Sequence, residues 1–144
     1  MFSPGHSGAN AYARVGVETG VMGATPYRLT AMLYQGARKA VAEARLHLAN
    51  GNIGPRGEAI SKAIRIVQSG LQMSLNVEAG GDLAQRLNAL YDYMARRLLE
   101  ANVMQSEAML VEVDGLLATL EEAWMGIGPE IARMAQAPAA EMMR

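Results

Sequence analysis

At 144 residues, with 51% apolar and only 5% aromatic side chains, the chain has room for one domain whose core must be aliphatic, Ala and Met. A formal net charge of −1 leaves no basic excess to neutralise phosphates, so nucleic acid and anionic lipid are not expected partners. With no Cys, disulfides, thiolate catalysis and Cys-ligated metals are all excluded, which fits a reducing cytoplasm.

Residues 1–24 hold five Gly and one Pro without a sustained period, and read as a flexible N-terminal arm. Tyr12, Val15, Val17, Val21 and Met22 are among its apolar members and are expected to be able to dock on another surface. Residues 1–10 lack a positive cluster followed by an apolar run, so no signal peptide is expected. No stretch of 18 apolar residues occurs anywhere, so no membrane insertion is expected.

The first helix is predicted over about 26–50. Thr25 suits an N-cap, because its hydroxyl accepts a free backbone N–H, and Pro26 suits the first helical position. Leu29, Leu33, Ala37, Ala40, Val41, Ala44 and Leu48 then recur at three and four. Asn50-Gly51-Asn52 stops the helix, and Gly54-Pro55 reads as the rest of a loop. The second helix is predicted over 57–77, with Ile60, Ala63, Ile64, Val67, Leu71 and Leu75 as its stripe. Ala79-Gly80-Gly81 ends it and Asp82 is placed to cap a third helix over 83–102. There Leu83, Leu87, Leu90, Tyr91, Met94, Leu98 and Ala101 share a face.

A fourth helix is predicted over 107–127, capped by Ser106, with Met109, Val113, Leu116, Leu117, Leu120, Trp124 and Ile127 as its stripe. Gly126, Gly128 and Pro129 break it, a short turn follows at 130–136, and 137–144 reads as a disordered tail. Four amphipathic segments joined by short loops imply an all-α, antiparallel up-down four-helix bundle over 25–136.

Catalytic chemistry finds no footing in this pattern. A di-metal bundle site needs Glu-x-x-His pairs, but the two histidines, His6 and His47, have no Glu three residues before them. No nucleophile elbow or phosphate-cradling loop occurs, and no cofactor is expected. A helical phosphotransfer module with His47 as acceptor is the rival reading. Against it, His47 falls in the last turn of the first helix, where a cationic side chain also complements the helix dipole. A generic helical adaptor is a third reading.

The remaining signal concerns binding. On the second helix Ile66, Met73 and Val77 form a second stripe about 110° from the core stripe, with Gly70 between them. One reading is a wide core face touching two neighbours; the other is a groove for a partner's amphipathic helix, which Gly70 lets approach closely. On the third helix Tyr93, Arg96 and Arg97 lie off the core face and are either a solvated charge cluster or interface anchors.

Several motifs carry a family resemblance. Ala24-Thr25-Pro26, Leu29 and Met32-Leu33-Tyr34-Gln35-Gly36 resemble the first-helix signature of flagellar secretion chaperones of the FliS type. Lys62-Ala63, Ile66-Val67, Leu71 and Gly80-Gly81 fit the stretch that follows. Leu90-Tyr91-Asp92-Tyr93-Met94, Arg96-Arg97-Leu98 and Ala101-Asn102 resemble the third-helix signature. Glu112-Val113, Leu116-Leu117, Leu120 and Ala123-Trp124 match the fourth. The similarity runs in register from about Ala11 to Trp124.

The resemblance implies a cytoplasmic bundle, not an enzyme, that binds the disordered C-terminal segment of flagellin. Such a chaperone blocks premature polymerisation and delivers the subunit to the flagellar type III export gate. It also implies a role for Tyr12, in Ala11-Tyr12-Ala13, on the bundle surface and in contact with an export gate protein. On this reading the arm packs Tyr12 and Val15 over the groove until flagellin displaces them. Weak homodimerisation is compatible with the same spare apolar surface.

Overall fold

The computed structural model describes residues 25–136, with side chains described as far as residue 128. The expected arm, with Tyr12, and the expected tail over 137–144 lie outside the described residues.

Four helices make up the described chain: α1 (Pro26–Ala49), α2 (Ile53–Arg65, prolonged by a π-helical segment Ile66–Gln72), α3 (Gly81–Met104) and α4 (Glu107–Gln136). Short connections force each helix to run antiparallel to the next. Each packs on its sequence neighbours, and α4 closes the ring against α1. This is the expected all-α four-helix bundle.

Local chemistry explains most boundaries. Thr25 Oγ1 accepts from the Arg28 N–H at 3.2 Å, and Pro26 fills N1. At the far end Gly51 takes φ +73°. The Asn52 N–H reaches the His47 carbonyl at 2.9 Å and the Gly51 N–H the Leu48 carbonyl at 3.3 Å. Those two bonds form a Schellman motif, which satisfies carbonyls the helix leaves open. Ser106 caps α4, its Oγ accepting from the Met109 N–H at 3.2 Å.

Several boundaries differ from the sequence reading, and the last helix continues past a break at Gly128 to Gln136 where the sequence predicts a short turn. The second helix begins at Ile53, not Gly57, so Gly54 and Pro55 belong to its first turn. Proline is tolerated there because first-turn N–H groups have no partner within the helix. It also ends sooner: regular α-geometry stops at Arg65, the π segment stops at Gln72, and residues 73–80 form a connection. Side chains hold that connection by competing for the backbone, with Ser74 Oγ donating to the Leu71 carbonyl and Asn76 Oδ1 accepting from the Ala79 N–H. Asp82 is not the cap of α3. Gly80 holds the N-cap position without a side-chain bond, and Asp82 lies in the first turn, where its charge suits the helix dipole.

Tyr91, Ile60, Ile66, Leu71, Met94, Leu98, Leu110 and Leu117 fill the core. Ala37, Ala40 and Ala44 line the buried face of α1, and Ala63 that of α2. Such small side chains let the two helices approach closely. Cross-ties pin the elements together. Arg38 Nε donates to Asp114 and Nη1 to Glu121, both at 2.9 Å, strapping α1 to α4. The buried Arg56 donates from Nε to Asn102 Oδ1 at 2.9 Å and from Nη2 to the Asn102 carbonyl, tying the start of α2 to the end of α3.

Candidate functional site

Helix α2 gives out at Gln72, but α3 and α4 carry their apolar stripes further at that end of the bundle. The overrun leaves an open apolar cavity of about 400 Å³. Tyr34 of α1 and Tyr91 of α3 lie at its base. Leu75, Ala79 and Gly80 of the connection form one wall, with Leu83, Ala84 and Leu87 of α3. Leu120, Ala123, Trp124 and Ile127 of α4 form the other. The volume falls within the range of sites that enclose a ligand or a few side chains.

Each wall is held in place. The Tyr34 and Tyr91 hydroxyls share a hydrogen bond at 2.6 Å in the buried floor. At the α4 rim Tyr27 stacks on Trp124, with ring centroids 5.7 Å apart at 21°. The Trp124 indole N–H donates to the Tyr27 carbonyl at 3.0 Å, and the Tyr27 hydroxyl donates to the Met125 carbonyl at 3.3 Å. The start of α1 thus buttresses the last turns of α4. Opposite, Gln72 Nε2 donates to Asn88 Oδ1 at 3.0 Å and to Asp92 Oδ1 at 2.7 Å, fixing the π segment to α3. Gly80 must lack a side chain: a Cβ there would sit 2.5 Å from the Ala84 Cβ and 2.8 Å from the Asn76 carbonyl. Exposed Leu83 (62%) and Ile127 (37%) widen the apolar mouth. Such a surface has little to offer a polar substrate and suits an apolar face of another chain.

None of the seven residues singled out for partner binding (Ile66, Gly70, Met73, Val77, Tyr93, Arg96 and Arg97) lines this cavity. Ile66 and Gly70 are buried, not open. Ile66 follows the buried Ala59 and Ala63 at seven and three residues, so regular α spacing already carries it into the core beside Val67. The close neighbour that Gly70 admits is Leu33 of this chain, whose Cδ2 lies 2.8 Å from where a Cβ would stand. Met73 is exposed (47%) and Val77 half-buried, both in the connection. Tyr93 and Arg97 converge on Glu112 of α4. The Tyr93 hydroxyl donates to Glu112, Arg97 Nε donates to Glu112 Oε1 at 2.9 Å, and the guanidinium lies 5.9 Å from the Tyr93 ring centre. The Tyr93 hydroxyl and then Arg97 hold the Glu112 carboxyl below its ordinary range, while the Glu112 bond pushes the Tyr93 phenol up. Arg96 is exposed on α3.

His47 is half-buried in the last turn of α1, its Nδ1 3.3 Å from Asn52 Nδ2. Among the described residues no three His, Asp or Glu side chains gather as a metal site would need, and no helix is long and apolar enough to cross a membrane.

Of the cavity-lining residues, Leu75, Leu83, Leu87, Tyr91, Leu120, Trp124 and Ile127 were legible in the sequence, but as core. Leu83, Leu87, Trp124 and Ile127 have the same spacing as packed residues. The available signal was that the stripes of the third and fourth helices reach beyond the end of the second.

Comparison with known proteins agrees with this architecture. The profile of the family described as flagellar protein FliS matches residues 8–131. The flagellar secretion chaperone FliS of Salmonella typhimurium is 48% identical over 124 residues, which cover 86% of this chain and 92% of that protein. Its Escherichia coli counterpart is 41% identical, covering 81% of this chain and 86% of that protein. The flagellar secretion chaperone FliSB of Pseudomonas aeruginosa is 40% identical, covering 81% and 91% respectively.

Proposed function

The chain belongs to the flagellar protein FliS family, and from that premise we propose that it is a flagellar secretion chaperone whose apolar groove takes the C-terminal segment of flagellin. The observation that carries the reading is the cavity of about 400 Å³ between α3 and α4 at the end where α2 stops. A segment that is disordered when free and helical when packed buries its apolar face against Leu83, Leu87, Trp124 and Ile127. Burial of that face offsets the entropy lost on ordering. The same burial hides the surface through which flagellin subunits would polymerise. Tyr27, Trp124 and the Tyr34–Tyr91 pair keep the groove preformed, which lowers the ordering cost on the chaperone side.

On this proposal the complex forms in the cytoplasm and passes to the export gate, and Tyr12 of the arm contributes to that delivery. The protein changes the state of its partner by occupancy, without a chemical step. Calorimetric titration with flagellin, and with flagellin lacking its C-terminal segment, tests the reading. One-to-one binding with a negative heat-capacity change, lost on deletion, is the expected result. Equal binding of both forms would overturn it.

A further inference from the structure

The groove has an occupant within reach on this chain. Its α4 wall is built by Leu120, Trp124 and Ile127, and the helix breaks immediately beyond them. Gly128 takes φ +78° and ψ 160°, a conformation that turns the chain off the α4 axis and that a residue with a Cβ adopts at a steric cost. Helix resumes from Pro129, a residue suited to a helix start, as far as Gln136. The sequence after the break places Ile131 and Met134 three apart, and Met142 and Met143 near its end. Its charges cancel, Glu130 and Glu141 against Arg133 and Arg144. A neutral, Met-containing amphipathic segment matches a groove lined by Leu, Ile and Trp.

We propose that residues 129–144 fold back at Gly128 and rest in the groove, where they compete with the partner segment. The inference rests on the groove being a docking site for an apolar helix, as in the functional reading above. Tethering makes the contact cheap, since a segment joined directly to the groove wall sees an effective concentration on the order of millimolar. A contact too weak to measure between separate molecules is then well populated. The benefit is a resident cover for an apolar surface that would otherwise stick to other chains. The cover leaves when a tighter-binding segment arrives.

Trp124 is the only tryptophan in the chain and it lines the groove, so its emission reports occupancy without any flagellin. In the full-length chain carrying Ile131→Asp and Met134→Asp, the emission should shift to longer wavelength and acrylamide quenching should rise, with helical circular dichroism retained. A synthetic peptide of residues 129–144 added to that variant should reverse both changes. If the tail fills the groove about nine-tenths of the time, the variant should also bind the flagellin C-terminal segment about tenfold more tightly. Because the chain has no Cys, a second test is available: bimane on Met134→Cys should be quenched by Trp124 and recover in Trp124→Phe. Unchanged Trp124 emission in the folded double variant, or a bimane unaffected by Trp124, would overturn the proposal. Failure to bind flagellin with these fluorescence changes intact would instead count against the functional reading alone.

Discussion

Gly70→Ala should destabilise the bundle although it removes a glycine from a helical segment. Two effects compete. Alanine is favoured over glycine in a helix interior by about 1 kcal/mol. Against that, the new Cβ would stand 2.8 Å from Leu33 Cδ2, 3.2 Å from Cδ1 and 3.5 Å from Cγ. These atoms end a flexible side chain, but Leu33 is only 2% exposed, and in a close-packed interior it can turn only by displacing its neighbours. Overpacking of this kind costs about 1–3 kcal/mol, so the net change is a loss of about 1 kcal/mol. Gly115→Ala on α4, where a Cβ meets nothing within 4 Å, is the control and should gain up to about 1 kcal/mol. Leu33→Ala removes all three crowding atoms at a cost of about 2–5 kcal/mol. In that background Gly70→Ala should become stabilising, which gives a coupling of about 2 kcal/mol between the sites. Urea unfolding of the four proteins, followed by helical circular dichroism, measures the cycle. A Gly70→Ala gain equal to that of Gly115→Ala, or an additive cycle, would refute the packing argument.

Two other sites give sharp expectations. Gln105 ends α3 at φ +53°, a left-handed conformation that costs a residue with a Cβ about 1 kcal/mol, so Gln105→Gly should stabilise by roughly 0.5–1 kcal/mol. That should raise the melting midpoint by a few degrees in calorimetry, and a lower midpoint would contradict it. Glu112 has its folded carboxyl pKa held below the ordinary 4.5, and Tyr93 has its phenol raised above the ordinary 10.0. A depressed carboxyl stabilises above its ordinary pKa and loses that contribution as pH falls through the folded value. A raised phenol stabilises below its ordinary pKa and loses it as pH rises through the folded value. The stability of the parent relative to Glu112→Gln should therefore be greatest between pH 4.5 and 10.0 and shrink on both sides. Unfolding midpoints taken from well below pH 4.5 to well above pH 10.0 would show it, and a difference that stays flat over that whole wider span would contradict the assignment.

How far the fold can be read from the sequence depends on how local the cause is. The ends of α1 are local: Thr25, Pro26 and Asn50-Gly51 each act through backbone groups a few residues away. Ser106 is equally legible. Pro55 misleads because proline signals a loop, while a first helical turn accepts it just as well. The π segment leaves no signature, since Ile66-Val67-Gln68-Ser69-Gly70-Leu71 keeps an apolar spacing that suits a regular helix. The stripe of Ile66, Gly70, Met73 and Val77 does not form, because Ile66 and Gly70 face the core and the helix ends at Gln72, leaving Met73 and Val77 in the connection. The groove is hidden for a different reason. Leu83 and Trp124 are chemically indistinguishable from core residues, and only the early end of α2 leaves them uncovered. That end is set by Ser74 and Asn76 turning the backbone, a competition that periodicity does not register.

The central claim is that the partner enters at the end of the bundle where α2 stops, and a matched pair of substitutions tests it most directly. Leu83, 62% exposed, lies in the first turn of α3 at the groove, and Ile53, 69% exposed, begins α2 at the opposite end. Aspartate is tolerated at both places because a negative charge suits the N-terminal end of a helix. Both variants should fold, and each can be titrated with the C-terminal segment of flagellin in a calorimeter. The account predicts that Leu83→Asp weakens binding by at least about tenfold, the effect of placing a charge against a buried apolar face, while Ile53→Asp binds as the parent does. Undiminished binding by Leu83→Asp, or a loss confined to Ile53→Asp, would contradict it.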